Sequence, residues 1–390
     1  MTSYRSGPSS DSGRKQAVRG SASVPPRSGN GVRSGNTYGG GGRRPTPPRD
    51  RGRLAVITCL VVSLIATLGG IGVWSYAMSL NDDLNRMDAF QGVTDRPDNV
   101  GGLNILVLGS DSRNPDSTEG SRADTIIMAH IPENGKGAYL ISLPRDLWVD
   151  IPANEDGSWG GGMSKLNAAP AYGGNPLTVQ TIEGFTGVHL DHVLEIDFEG
   201  LKDVVDALGG VTMDVQPAEG AQELTSIHTY KSQDGTPRTW QAGKQELDGE
   251  SALDYVRQRK QFADGDFARM NHQQDLLMAM MDKATSAGIV SSPPALKSFL
   301  QSVTAAVKVD KNFDLINTAM SMSHLRSDDL VFMTSPNDGS AQMAGQSVVV
   351  SNKELAGSMY EAIQNDEMTK WVENNPDAVK TDDSENKDGE

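Results

Sequence analysis

The sequence predicts one α/β domain, a three-layer α-β-α arrangement with a central mixed sheet, preceded by a transmembrane helix and a disordered N-terminal tail. Three observations carry this. From residue 103 to about 365, short apolar β-rich runs alternate with stretches of helical spacing, the signature of helices packed on a buried sheet. Residues 54–80 are uncharged and mainly apolar. The charge also changes sign there: residues 1–53 carry eleven basic against two acidic side chains, net +9, while the whole chain of 390 residues is −16, which leaves −25 for the remainder.

Residues 1–53 are Gly, Ser, Pro and Arg with almost no aliphatic side chains, too little apolar surface to offset the entropy of ordering. Residues 54–80 are long enough at about 1.5 Å per residue to cross a hydrocarbon core of roughly 30 Å. Arginines crowd the N-terminal end of this stretch and Asp82 and Asp83 follow it, so the positive-inside rule puts the tail in the cytoplasm and the acidic domain outside. Trp74 and Tyr76 fall where an interfacial aromatic belt would lie. A cleaved signal peptide, with Ser75-Tyr76-Ala77 as its site, is disfavoured by the long basic region and the long apolar core. The only cysteine, Cys59, lies inside the span, so the outer domain has neither a disulfide nor a thiol nucleophile. Its acidity also argues against a nucleic-acid partner.

Residues 81–101 read as a polar spacer and 102–365 as the folded domain. Apolar runs at 103–108, 125–131, 138–143, 193–196 and 211–215 read as buried strands, with late strands at 331–333 and 347–350. Helical spacing marks 177–185, entered through Asn175-Pro176, and 198–208, entered through Asp197. Further helices are expected at 267–287, 294–307 and 352–364. Residues 366–390 carry nine acidic and three basic side chains and read as a solvated tail.

The candidate site residues stand where elements begin or end. The first strand runs into Gly109-Ser110-Asp111-Ser112-Arg113, and ligands of α/β sheets collect at carboxyl edges. Ser121-Arg122-Ala123-Asp124-Thr125 opens the next strand, where an extended chain sends Arg122 and Asp124 to one face. Two carboxylates meeting near an arginine can hold Mg²⁺ or Mn²⁺ against phosphate oxygens; taken singly, Asp111 would be a turn cap and Asp124 a strand start. Leu143-Pro144-Arg145-Asp146 closes the third strand, and Ser164-Lys165-Leu166-Asn167 precedes a Gly-rich stretch. Tyr255-Val256-Arg257-Gln258-Arg259 gives an i, i+2 pair of arginines. On the long helix that follows, Asp266 reads as the N-cap, and Arg269 and Gln273 share a face. Arginine's planar fork binds phosphate oxygens bidentately, so Arg122, Arg145, Arg257, Arg259 and Arg269 together meet the electrostatic demand of a pyrophosphate.

With these motifs in order, the chain resembles the LytR-CpsA-Psr family over 103–364. The carrying segments are NILVLGSDSR, SRADTI, ISLPRDLWVDIP, KLNAAPAYGG, LDHVLEIDFEGLKDVVDALGGVTMDV, LDGESALDYVRQRK and DFARMNHQ. The resemblance implies an enzyme of the Gram-positive envelope. It would move a glycopolymer phosphate from a polyprenyl-pyrophosphate carrier at the lipid bilayer onto a muramic acid hydroxyl of peptidoglycan. It further implies that Asp111 and Asp124 hold the metal and that Arg122, Arg145, Arg257, Arg259 and Arg269 hold the pyrophosphate. Lys165, Asn167 and Gln273 would also contact substrate, and Asp124, Asp146 and Asp266 are the carboxylates from which a general base would come. The lipid would lie in a slot lined by apolar residues of 177–188 and 198–208.

Two other classes remain open on sequence. The same residues could pass the phosphoryl group to water, as a pyrophosphatase, or the protein could be a non-enzymatic envelope regulator. His189 and His192 lack partners at zinc spacing and read as structural. Gly160-Gly161-Gly162 and Gly173-Gly174 lack the Gly-Lys-Ser/Thr ending of a P-loop and read as loops at the rim of the site.

Overall fold

The computed structural model describes residues 84–99, 101–110, 123–154, 156–218, 220–226, 236–263, 265–286 and 293–379. The expected tail at 1–53 and the span at 54–80 lie outside them. Among the described residues no helix is long and apolar enough to cross a membrane.

A mixed sheet of seven strands is the centre of the fold: β1 Asn85–Met87, β2 Leu103–Ser110, β3 Ala123–Ile131, β4 Ala138–Ser142, β5 His192–Asp197, β6 Val307–Asp310 and β7 Leu330–Thr334. Their order across the sheet is β1-β6-β5-β2-β3-β4-β7. β2 is parallel to β5 and antiparallel to β3, and β4 is antiparallel to β3 and parallel to β7. β6 is antiparallel to β5 and parallel to β1. Thus β2, β4, β5 and β7 run one way and β1, β3 and β6 the other.

Both faces of the sheet are covered, which is why its central strands are continuous apolar runs rather than alternating ones. Alternate residues of β2 show it. Leu106 and Leu108 join a cluster with Met128, Ile141 and helices α1 (Ala169–Thr186) and α7 (Lys353–Gln364). Ile105 and Val107 belong to a second cluster with Ile131, Val309, Val204 of α2 (Phe198–Ala207) and Ala306 of α5 (Pro293–Ala306). A third cluster joins Leu201 and Val205 of α2 to the hairpin Val211–Val215/Gly243–Leu247, to α3 (Gly249–Val256) and to Leu276 of α4 (Asp266–Ser286). Helix α6 spans Leu315–Ser321 and α8 spans Met368–Asn374.

Four expectations are corrected. The stretch 81–101 is no spacer: it contributes β1, buries Leu84 and Ala89, and ties itself to α1 through Arg96. The Arg96 guanidinium donates to both carboxylate oxygens of Glu183 and lies 4.5 Å over the Phe90 ring. The acidic stretch from 366 is not all tail, because α8 buries Met368 and Trp371, and Trp371 Nε1 donates to Ser358 Oγ at 2.9 Å. Two apolar residues at helical spacing were hidden there by the surrounding charge. Helix α1 starts at Ala169, ahead of Asn175-Pro176, and breaks at Gly173 and Gly174; the second of these has φ +65°, which only glycine adopts without strain. Gly173-Gly174 is therefore a helix break rather than a loop. The segments 177–188 and 198–208 also do not line a common slot. Val179 and Ile182 pack in the cluster on one face of the sheet, and Leu201, Val204 and Val205 in clusters on the other.

Candidate active site

The strand directions bring the carboxyl ends of β2, β4, β5 and β7 and the amino ends of β1, β3 and β6 to one edge of the sheet. In α/β folds that edge is where ligands bind. In the β2–β3 register Ser110 stands opposite Ala123 and Gly109 opposite Thr125. The two strand ends that lead to Asp111 and Asp124 are therefore neighbours. Asp124 is the second residue of β3, while Asp111 and Arg122 lie outside the described residues.

Helix α4 docks its first turns on this edge through neutral polar bonds. The Thr125 hydroxyl donates to Gln273 Oε1 at 2.8 Å, and Gln274 Nε2 donates to the Ser142 hydroxyl at 2.8 Å. Arg269, one turn before Gln273, is buried with it. Asp266 is the first residue of α4 rather than the residue preceding it. Sequence reasoning missed Gln274 and His272. The signal was five polar residues in a row, 271–275, inside a helix that must bury at least one face.

The two arginines after α3 are set by their surroundings. Arg257 is the C-cap of α3, and the chain then turns tightly, with Phe262 N–H donating to Arg259 C=O and Gly265 N–H to Phe262 C=O. This run leads straight into α4. His272 of α4 packs between Tyr255 and Phe262, at 4.6 and 4.9 Å between ring centroids, and so fastens the arginine turn to the helix carrying Arg269 and Gln273. Burial pushes the Tyr255 phenol above its ordinary range, and its oxygen accepts from Gln216 N–H. Beneath the turn, Asp254 is fully buried and accepts from the Ser226 hydroxyl and from Gln258 Nε2, each at 2.9 Å.

Arg145 follows β4, and its carbonyl accepts from Asn167 N–H at 3.0 Å. Lys165 ends the strand Gly162–Lys165 and pairs with Asp146 at 3.0 Å. Arg145, Asp146, Lys165 and Asn167 are thus joined across two chain segments, with the Asn167 side chain buried. No group of three or more His, Cys, Asp or Glu side chains suited to a metal occurs among the described residues. His192 is structural, as expected: it meets Asp310 at 3.0 Å and stacks on Phe313 at 4.2 Å. His189 meets the Pro97 carbonyl at 2.9 Å.

Residues 73–365 match the family model described as the LytR_cpsA_psr family. The chain belongs to the LytR_cpsA_psr family. LcpB of Corynebacterium glutamicum is 35% identical over 268 residues, covering 65% of this chain and 58% of that one, so the match spans less than two thirds of that relative. The polyisoprenyl-teichoic acid–peptidoglycan teichoic acid transferase TagU of Enterococcus faecalis is 30% identical, covering 67% of this chain and 79% of that protein. Among solved structures, TagT bound to LIIa-WTA superposes with a TM-score of 0.51 at 25% identity, over 71% of this chain and 98% of the other. TagV of B. subtilis, at 24% identity and a TM-score of 0.55 over 69% of this chain and 98% of its own, has the same fold. The mixed α/β fold with its central mixed sheet is therefore that of LytR_cpsA_psr structures.

Proposed function

We propose that this protein is a membrane-anchored transferase that moves a glycopolymer phosphate from a polyprenyl-pyrophosphate carrier onto a peptidoglycan hydroxyl. The observation that carries the reading is the gathering of the arginine-bearing segments on one sheet edge. Arg145 follows β4, Arg257 and Arg259 are fastened to α4 through His272, and Arg269 lies one turn before Gln273, which docks on the start of β3. Membership of a family that includes peptidoglycan teichoic acid transferases supports it. The anchor is the apolar stretch 54–80, with the basic tail cytoplasmic and the acidic domain outside.

In this reading Arg122, Arg145, Arg257, Arg259 and Arg269 bind and orient the pyrophosphate, and Lys165 and Asn167 border it. Asp111 and Asp124 fit a divalent cation, because the β2–β3 register sets their strand ends side by side and Mg²⁺ is commonly held by one or two carboxylates plus phosphate oxygens. Bound there, Mg²⁺ or Mn²⁺ would neutralise charge on those oxygens. The acceptor oxygen forms a bond to the phosphorus bearing the glycan, the bond to the bridging oxygen breaks, and polyprenyl monophosphate leaves. The arginines stabilise the charge that develops during transfer. The acceptor proton passes to a carboxylate. Asp124, Asp146 and Asp266 remain the candidates for it, Asp146 with Lys165 beside it at 3.0 Å.

The test uses the full chain in detergent with lipid-linked glycan, with and without a peptidoglycan acceptor, and with and without chelator. Polymer joined to acceptor, lost on chelation and restored by Mg²⁺, is the expected result. Release of free polymer at an equal rate without acceptor would identify a hydrolase instead.

A further inference from the structure

The turn that carries Arg145 is bolted in place by a part of the chain almost two hundred residues further on. Leu147 N–H donates to the Pro144 carbonyl at 2.9 Å, which makes Arg145 and Asp146 the corner residues of a tight turn. Ahead of the turn, the carbonyl of Ser142, the last residue of β4, accepts from Ser335 N–H at 2.8 Å. Within it, the Asp146 carbonyl accepts from Val349 N–H at 2.8 Å, and Leu147 bridges to Val349. Ser335 and Val349 belong to one unit. Ser335 follows β7 and leads into a hairpin, Asn337–Met343 paired with Gln346–Ser351. Asn352 N–H closes the base of that hairpin on the Pro336 carbonyl, and the Asn352 side chain caps α7.

Side chains carry the same connection from one layer of the fold to the other. Ser335 Oγ and Tyr360 Oη of α7 bond at 2.6 Å, and Gln274 Nε2 of α4 donates to Ser142 Oγ at 2.8 Å. All four side chains are buried. Tyr360 packs in the cluster that holds α1 and α7, while Leu276 of α4 packs in the cluster on the other face. The bonds therefore cross the sheet at the carboxyl ends of β4 and β7. Burial pushes the Tyr360 phenol above its ordinary range, which keeps its proton in place for the bond to Ser335.

Packing alone does not call for these hydroxyls. Ala356, Met359 and Ile363 of α7 are buried and apolar, and the Phe185 ring meets Tyr360 edge-on at 5.7 Å. A phenylalanine at 360 and an alanine at 335 would fill nearly the same space without burying two polar groups. A neutral hydrogen bond adds little net stability, because its groups bond to water in the unfolded chain. What it adds is direction, since it weakens steeply as its angle bends.

We propose that Ser335 and Tyr360 are positioning residues for Arg145: through Ser142 and the base of the hairpin they hold the turn 144–147 in the orientation in which Arg145 meets a diphosphate. The role of Arg145 is that of the transferase reading, and the coupling to it comes from the bonds above.

The experiment titrates the full chain in detergent with inorganic pyrophosphate and Mg²⁺ by calorimetry and measures transfer alongside. Arg145→Ala should weaken pyrophosphate binding about tenfold. Tyr360→Phe, and separately Ser335→Ala, should weaken it about fivefold and lower kcat about tenfold, with the KM for acceptor unchanged. In the Arg145→Ala background the same substitutions should change neither any further, because they act through that side chain. Tyr360→Phe combined with Ser335→Ala leaves neither hydroxyl unpaired, so it should recover the urea midpoint without recovering the affinity. Binding unchanged in the single variants, equal losses with and without Arg145, affinity that returns with the midpoint, or a wild type that does not bind pyrophosphate overturns the proposal. Binding that follows these variants in a protein that transfers nothing would sink the transferase reading and leave the coupling standing.

Discussion

The two edges of the central sheet are held together differently. At the edge opposite the arginines the structural bonds run to carboxylates. Arg96 meets Glu183 at 2.6 Å, His130 meets Asp366 at 3.3 Å, His192 meets Asp310 at 3.0 Å, and Asp191 accepts from Asn104 N–H. At the reactive edge α4 is docked by amide–hydroxyl bonds, Gln273 with Thr125 and Gln274 with Ser142, and Lys165 pairs with Asp146. A neutral bond fixes geometry without consuming a charge. The Gln273 and Gln274 bonds thus fix α4 on this edge without using a charge.

The largest expected effect is at the reactive edge. Arg257→Ala should lower kcat/KM for transfer on the order of 10²–10³-fold, as loss of a charge-stabilising donor does, measured with saturating acceptor. Retained activity would mean that the arginine turn serves the fold. Next, Arg96→Ala strands the buried Glu183 carboxylate and should cost about 3 kcal/mol of stability, read from a urea midpoint, with kcat/KM of the remaining folded protein unchanged. If transfer fell in step with Arg257→Ala, the two edges would not be functionally distinct.

Gln273→Ala should cost only about 1 kcal/mol of stability, since it removes one neutral hydrogen bond. Its effect on kcat should nevertheless be on the order of 10²-fold, because Arg269 and the start of β3 lose their common brace. The smallest effect concerns pH. Burial holds His130 below its ordinary 6.5 despite the pull of Asp366. The unfolded chain then binds the proton more readily, so this contribution is present above 6.5 and is lost as pH falls from 6.5 toward the lowered folded value. Urea midpoints at several pH values between 7.5 and 5 should converge for wild type and His130→Gln as acidity increases, and parallel curves would show that His130 is not titrating.

Much of the fold was legible because a buried sheet writes its strands as apolar runs. β2, β3, β4, β5 and β7 stand where the runs do, and α7 begins within one residue of its expected start, with Asn352 as its cap through Leu355 N–H. The short strands β1 and β6 were not legible, because three or four residues carry too little periodicity to stand out from a loop. Trp371 and Met368 were hidden for another reason, since nine acidic side chains dominate the composition of the stretch that contains them. At the site, arginines at element ends were readable one by one. That His272 would clasp the arginine turn was not, because the contact joins residues whose neighbourhood is created only by the return of α4 onto α3.

The direction of β1 sets a distance. Because it runs parallel to β6 and against β5, Asn85 lies toward the same edge as the carboxyl ends of β2 and β4. Only residues 81–84 separate it from the apolar stretch, a contour of at most about 14 Å however it runs. With 54–80 as the proposed anchor in a bilayer, the tether would become a ruler. It would hold the start of β1, and with it one corner of the arginine edge, near the membrane surface from which the proposed lipid-linked donor would come.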